Sequence, residues 1–260
     1  MAQEMKWLLF FVPVICLAGE IAPSYSKFKH REYKGVGYDQ GYTSIDVHLT
    51  FGEFPGFSVF FNPRGHVFND GRLAFNVGVG GRMIAANEKW MLGGNIYYDY
   101  RTSSTLSPQQ FGGGAELFIS DYVLRFNGYA PVGVVKQSEG SQAAVALANL
   151  QGEVEKELLR GADHVFWGTI GAYYLTGRAY RDKVFGKAWG SEVRLTARLW
   201  EWVEVLFETT YDQIYNFTFQ GMISLKIPFG GKRKALSAPF DLFQSVKRRE
   251  IIPLEKKHSP

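Results

Sequence analysis

Between Arg72 and Ile119 the side chains change character with a period of two. Leu73, Phe75, Val77 and Val79 share one parity, and Ala74, Asn76, Gly78 and Gly80 share the other. In the next segment Trp90, Leu92, Ile96 and Tyr98 oppose Gly93, Asn95 and Asp99, and FGGGAELFI continues the ladder. Period-two alternation describes β-strands with one apolar face. Here it continues toward the C-terminus, with bulky residues on one side and glycine, amides and charges on the other. That predicts an all-β, up-and-down antiparallel transmembrane barrel with lipid outside and a polar lumen inside.

The pattern predicts strands at 42–51, 57–68, 72–84, 89–101, 110–119, 122–132, 145–158, 164–175, 188–199, 202–212 and 214–228. Turn chemistry separates them, as at Asn69-Asp70-Gly71, Ser120-Asp121 and Gly161-Ala162-Asp163. The connections 102–109, 133–144 and 176–187 are long, whereas 85–88, 120–121, 159–163 and 201 are short. In a meander every second connection lies at the same end, so the long loops are expected on one rim and the short turns on the other. Outer-membrane barrels have short periplasmic turns and longer outer loops. Both ends of the barrel then belong on the short-turn rim, which requires an even strand count. Twelve strands are therefore expected, the first a cryptic one at 33–38 turning at Asp39-Gln40-Gly41. Strands of about ten residues rise roughly 33 Å and, tilted by about 40°, cover about 25 Å, the height of an apolar membrane band.

Polar residues of the later strands fall on the inward parity. Asn149, Gln151, Glu153 and Glu155 alternate with Leu150 and Val154; Glu192, Arg194, Thr196 and Arg198 with Val193, Leu195 and Ala197; Glu204 and Glu208 with Val205 and Phe207. Arg64, His66, Asn76, Arg125, Asn127 and Tyr129 join the inward set, as does His48. Charges facing lipid cost several kcal/mol at the midplane, so these residues are candidates for a paired lumen lining. The last strand places Phe217, Phe219, Ile223, Leu225, Ile227 and Phe229 outward. Tyr97, Tyr98, Tyr100, Tyr173, Tyr174, Trp189, Trp200 and Trp202 lie near strand ends, where interfacial girdles form.

The termini divide the 260 residues further. MAQEMKWLLFFVPVICLAG has the basic, apolar and small-residue regions of a secretory signal peptide, expected at 1–18 with cleavage possible as late as Ser26. The barrel is expected at 27–230. The sole cysteine, Cys16, lies in the leader, which removes disulfides and thiolate metal sites from the mature chain. The basic stretch 231–260 follows. It either remains disordered in the periplasm or turns back through the pore, where Lys247, Arg248 and Arg249 would meet the acidic lumen residues. Extended, residues 246–260 reach about 50 Å, enough to cross the barrel.

No cofactor or metal is implied. His30, His48, His66, His164 and His258 form no ligand spacing, and the glycine runs 78–81 and 112–114 lie within strands and open no helix. A barrel-embedded hydrolase centred on His66 lacks a nucleophile–base–orienter set legible in the sequence, so no enzymatic activity is expected. A net charge of +4 is too small to imply nucleic acid.

GYDQGYTSIDVHL, RGHVFNDGRLAFNVGVGGR, WMLGGNIYYDYR, FGGGAELF, LRFNGYAPVG and RREIIPLEK resemble, in order, the β-domain of intimin/invasin-type inverse autotransporters over residues 35 to 257. The resemblance implies a twelve-stranded barrel whose C-terminal segment passes through the lumen and carries an adhesin passenger to the surface. It also implies residence in a Gram-negative-type outer membrane, reached after crossing the inner membrane. Implied partners are outer-membrane lipid, periplasmic chaperones and the barrel-assembly machinery; a host or surface ligand is not named. Neither the peptidoglycan-binding module that precedes such barrels nor a passenger is recognised in this sequence. The expected role is therefore that of membrane anchor and translocator; the alternative is a passive pore or structural protein whose tail stays periplasmic.

Overall fold

The computed structural model describes residues 23–54, 56–139, 142–180, 183–230 and 240–258. The expected leader at 1–18 and the first part of the basic tail, 231–239, lie outside them. Twelve long strands form the wall: β1 (Ser24–Glu32), β2 (Tyr42–Phe54), β3 (Phe57–Phe68), β4 (Leu73–Ile84), β5 (Trp90–Arg101), β6 (Gln109–Ile119), β7 (Tyr122–Val132), β10 (Ala148–Arg160), β11 (His164–Thr176), β14 (Ala188–Leu199), β15 (Val203–Asp212) and β16 (Asn216–Phe229). Each pairs antiparallel with its neighbours, and β1 closes the barrel on β16 with Ser24 opposite Phe229. Short strands β8 (Lys136–Glu139) and β9 (Gln142–Ala146) form a hairpin within the β7–β10 connection, and β12 (Arg178–Tyr180) and β13 (Lys183–Phe185) form another between β11 and β14. The last strand, β17 (Leu254–His258), pairs with β9. No helix among the described residues is long and apolar enough to cross a membrane.

The first strand lies upstream of its expected place. It runs from Ser24, three residues before the boundary expected at 27, and the segment 33–41 connects it to β2. Its inward residues Tyr25, Lys27 and Lys29 are buried, and its outward row carries a single large apolar side chain, Phe28. A strand with so little outward apolar surface has no hydrophobic alternation to find.

Connections 33–41, 69–72, 102–108, 133–147, 177–187 and 213–215 share one rim, while 85–89, 120–121, 161–163 and 200–202 lie on the other. All the long loops thus share a rim, but two tight turns, 69–72 and 213–215, lie among them. The expected strand 145–158 also splits at Leu147. Residues up to Ala146 join the β8–β9–β17 sheet, and the wall strand begins at Ala148.

Burial alternates as an inside-out barrel requires. Ile96, Phe126, Ile170, Val193, Phe207 and Ile223 are exposed on the outer face, whereas Asp99, Glu116, Arg125, Glu153 and Arg194 are buried inside. Trp189, Trp200 and Trp202 are exposed on the outside near strand ends. Tyr97 and Tyr173, expected in the girdle, instead turn inward and are buried, because both sit on the inward parity opposite glycine. A Cβ at Gly78 would lie 2.3 Å from the Tyr97 ring, and one at Gly190 would lie 2.1 Å from the Tyr173 ring. Absence of a side chain there lets an aromatic ring lie flat against the inner wall.

Candidate functional site

The interior is occupied by the chain's own C-terminal segment. Its contacts climb from the short-turn rim to the long-loop rim. Phe240 packs with Met91 and Phe118 beside the 85–89 and 120–121 turns. The carbonyls of Leu242 and Gln244 accept hydrogen bonds from Arg82 at 3.1 and 2.6 Å. Ser245 bonds the Tyr25 hydroxyl at 2.9 Å, and Val246 packs between Phe60 and Tyr97.

The central stretch is ionic. Lys247 donates to Glu155 at 2.6 Å. Arg248 grips Asp99 with both terminal nitrogens at 2.7 and 2.6 Å, its guanidinium 4.3 Å from the Tyr97 ring centre and 5.2 Å from that of Tyr129. Two parallel charge-assisted bonds make this the most geometrically specific contact of the tail. Arg249 lies over Tyr173 at 4.6 Å and 3.9 Å from Glu192, and its backbone N–H donates to the Tyr129 hydroxyl at 2.7 Å. Glu250 reverses the polarity: it accepts from Arg64 at 2.6 Å and from Lys29. Its carbonyl accepts from Asn76 at 2.9 Å.

Above this level the segment becomes apolar again. Ile251 packs with Tyr38, Tyr42, Phe68 and Ala74, and Ile252 with Leu106, Ala144 and Ala146. Arg101 donates to the Ile252 carbonyl at 2.7 Å. Leu254–His258 then forms β17 against β9, outside the barrel wall.

Beneath the tail the wall residues pair with one another. Arg125 bridges Glu116 at 3.2 Å and Glu155 at 3.0 Å, and Arg194 bridges Glu153 at 2.5 Å, Glu192 at 3.3 Å and Glu208 at 3.6 Å. Glu204 accepts from Lys27 at 2.7 Å, and Glu208 lies 3.4 Å from Arg31. Such carboxylates and guanidiniums tolerate burial only with opposite charge and hydrogen bonds supplied.

Of the residues expected in the lumen, Arg64, His66, Asn76, Arg125, Glu153, Glu155, Glu192, Arg194, Glu204 and Glu208 join this network. Asn127 is buried but its amide nitrogen has no partner among the described residues. Arg198 is half-buried, its guanidinium 4.9 Å from the Trp167 ring centre. His48 stacks on Tyr25 at 4.9 Å. Ser44, His66 and Asn76 form a hydrogen-bonded row of 2.6 and 2.7 Å. It has the order of a nucleophile, base and orienter, a set the sequence did not reveal. Ser44 and His66 are both buried, and Asn76 is engaged by the tail carbonyl of Glu250, so the row is closed to substrate while the tail is in place.

Sequence reasoning also missed Lys27, Lys29, Asp46, Arg82, Glu116 and Glu250. The two lysines lie on the unrecognised first strand. Arg82 and Glu116 share the inward parity of strands that were recognised, so strict parity could have found them.

A closed antiparallel barrel with an apolar exterior and a charged, filled interior defines an outer-membrane β-barrel. Residues 56–152 match the family model for the inverse autotransporter β-domain. The resemblance carried by the sequence motifs is thereby borne out. Among solved structures the chain is similar to one from a study of the in-meso crystallization of membrane proteins, at 17% identity and a TM-score of 0.66, covering 90% of this chain and 100% of that one. It is also similar to an outer membrane channel from Pseudomonas putida F1, at 8% identity and a TM-score of 0.61, covering 82% of this chain and 97% of that one. No curated protein matches the sequence. At these identities the structural likeness speaks for the fold, which points to a Gram-negative outer membrane.

Proposed function

We propose that the protein is a non-enzymatic outer-membrane anchor and translocator that holds its C-terminal segment through the pore and presents it at the cell surface. In this reading the short-turn rim is periplasmic and the long-loop rim faces outward. Assembly machinery and periplasmic chaperones act in its biogenesis.

The observation that carries the reading is the ordered climb of residues 240–258, with Lys247, Arg248 and Glu250 each meeting opposite charge on the wall. A tail left in the periplasm would leave Asp99 and Arg64 without those partners. The test is an epitope placed after Pro260 and probed with antibody on intact cells. Labelling before permeabilisation is expected; labelling only after the outer membrane is opened would sink the proposal.

A passive pore is the second reading, favoured by the likeness to an outer membrane channel. It predicts an open lumen, and conductance separates the two.

A further inference from the structure

At the mouth on the long-loop rim lies a cavity of about 600 Å³, bounded by the 33–41, 186–187 and 213–215 connections and by β17. That volume suits a small ligand. Its charged lining consists of Arg72, Arg101, Lys187, Lys256 and Lys257 against Asp39 and Glu255. Arg72 is already paired with Asp70, and Lys257 with Glu255 at 3.0 Å. Arg101, Lys187 and Lys256 have no carboxylate partner among the described residues.

Arg101 is the informative member. It is only 3% exposed, and Nη1 donates to the carbonyls of Gly37 at 2.8 Å and Ile252 at 2.7 Å, but Nε has no hydrogen-bond partner among the described residues. The buried arginines deeper in the barrel, Arg64, Arg82, Arg125, Arg194 and Arg248, each have a carboxylate. A buried guanidinium without one carries an uncompensated charge. Lys256 donates to Ser104 at 3.3 Å, and burial, with Arg72 close by, holds its ammonium below the usual lysine range. The mouth thus gathers five cationic side chains against two carboxylates, Asp39 and Glu255, a local excess of positive charge.

We propose that this cavity binds a phosphate-type oxyanion, with Arg101 on the wall and Lys256 on the emerging tail as its ligands. The anion would join the tail to the barrel at the exit. A free phosphate and a phosphorylated headgroup in the outer leaflet present the same chemistry. The proposal is independent of what the tail carries.

The test uses the full chain in detergent micelles titrated with inorganic phosphate, followed by calorimetry and by phosphorus NMR linewidth. Saturable binding is expected, weakening as sodium chloride is raised. It should weaken about tenfold or more in Arg101→Gln and in Lys256→Gln, as expected for losing a hydrogen bond to a charged group. Lys256 lies outside the barrel wall, so its variant keeps the test valid if Arg101→Gln folds poorly; heat-modifiable gel mobility reports folding for both. A second arm repeats the titration in nanodiscs containing phosphorylated or dephosphorylated lipopolysaccharide. Competition by the phosphorylated form alone identifies the headgroup as the occupant, and equal titration in both identifies free phosphate. Absence of saturable phosphate binding in micelles, or binding unchanged in both folded variants, overturns the proposal.

Discussion

Asp99 and Arg248 are 0% and 1% exposed at their side chains, so neither can recover hydration if the other is removed. Arg248→Ala is expected to cost about 3–5 kcal/mol, because it leaves a carboxylate buried without its cation. Urea unfolding in detergent measures this. Arg248→Gln combined with Asp99→Asn should recover most of the loss, since the charge and its partner leave together. Glycine supplies a second residue-scale contrast. Gly190→Ala would drive a Cβ into the Tyr173 ring and is expected to cost about 1–3 kcal/mol. Gly152→Ala, with nothing within 4 Å of the added carbon, should change stability by no more than about 1 kcal/mol in the same assay.

At the scale of the element, alternation was legible wherever a strand presents a full apolar row to the outside. From β2 through β7 the strand boundaries read from the pattern lie close to those observed. β1 escaped because its inward row, Tyr25, Lys27, Lys29 and Arg31, is mostly cationic and its outward row is nearly free of apolar side chains. β9 was merged with β10 because alanine and valine continue the apolar pattern across Leu147, where the chain leaves one sheet for another. Parity identified which residues face the lumen but not their partners. The pairings of Arg64 and Asp99 depend on Glu250 and Arg248, and the tail that supplies these has no periodicity to set its register. The lipid-facing assignment has its own test. Ile170 is 65% exposed at the middle of β11, and Ile170→Arg is expected to cost about 2–4 kcal/mol in unfolding from lipid bilayers. Thr169→Ser, one residue away on the inward face and able to keep its bond to Glu155, should be nearly neutral.

For the whole molecule, three features fill the lumen in series. They are the apolar cluster of Met91, Phe118 and Phe240, the ionic layer around Lys247 to Glu250, and the cap where β17 joins the β8–β9 hairpin. Twelve strands enclose more space than inward side chains of an eight-stranded barrel would fill, and the tail takes up that space. A barrel plugged by its own segment conducts little; the same barrel without the segment has a wide, charged passage. Planar-bilayer conductance of the full chain against a variant lacking 231–260, each checked for folding by heat-modifiable mobility, is the direct comparison. A nearly silent full chain is expected, and a steady open conductance once the segment is removed. Equal conductance in the two proteins would mean that the C-terminal segment does not plug the lumen.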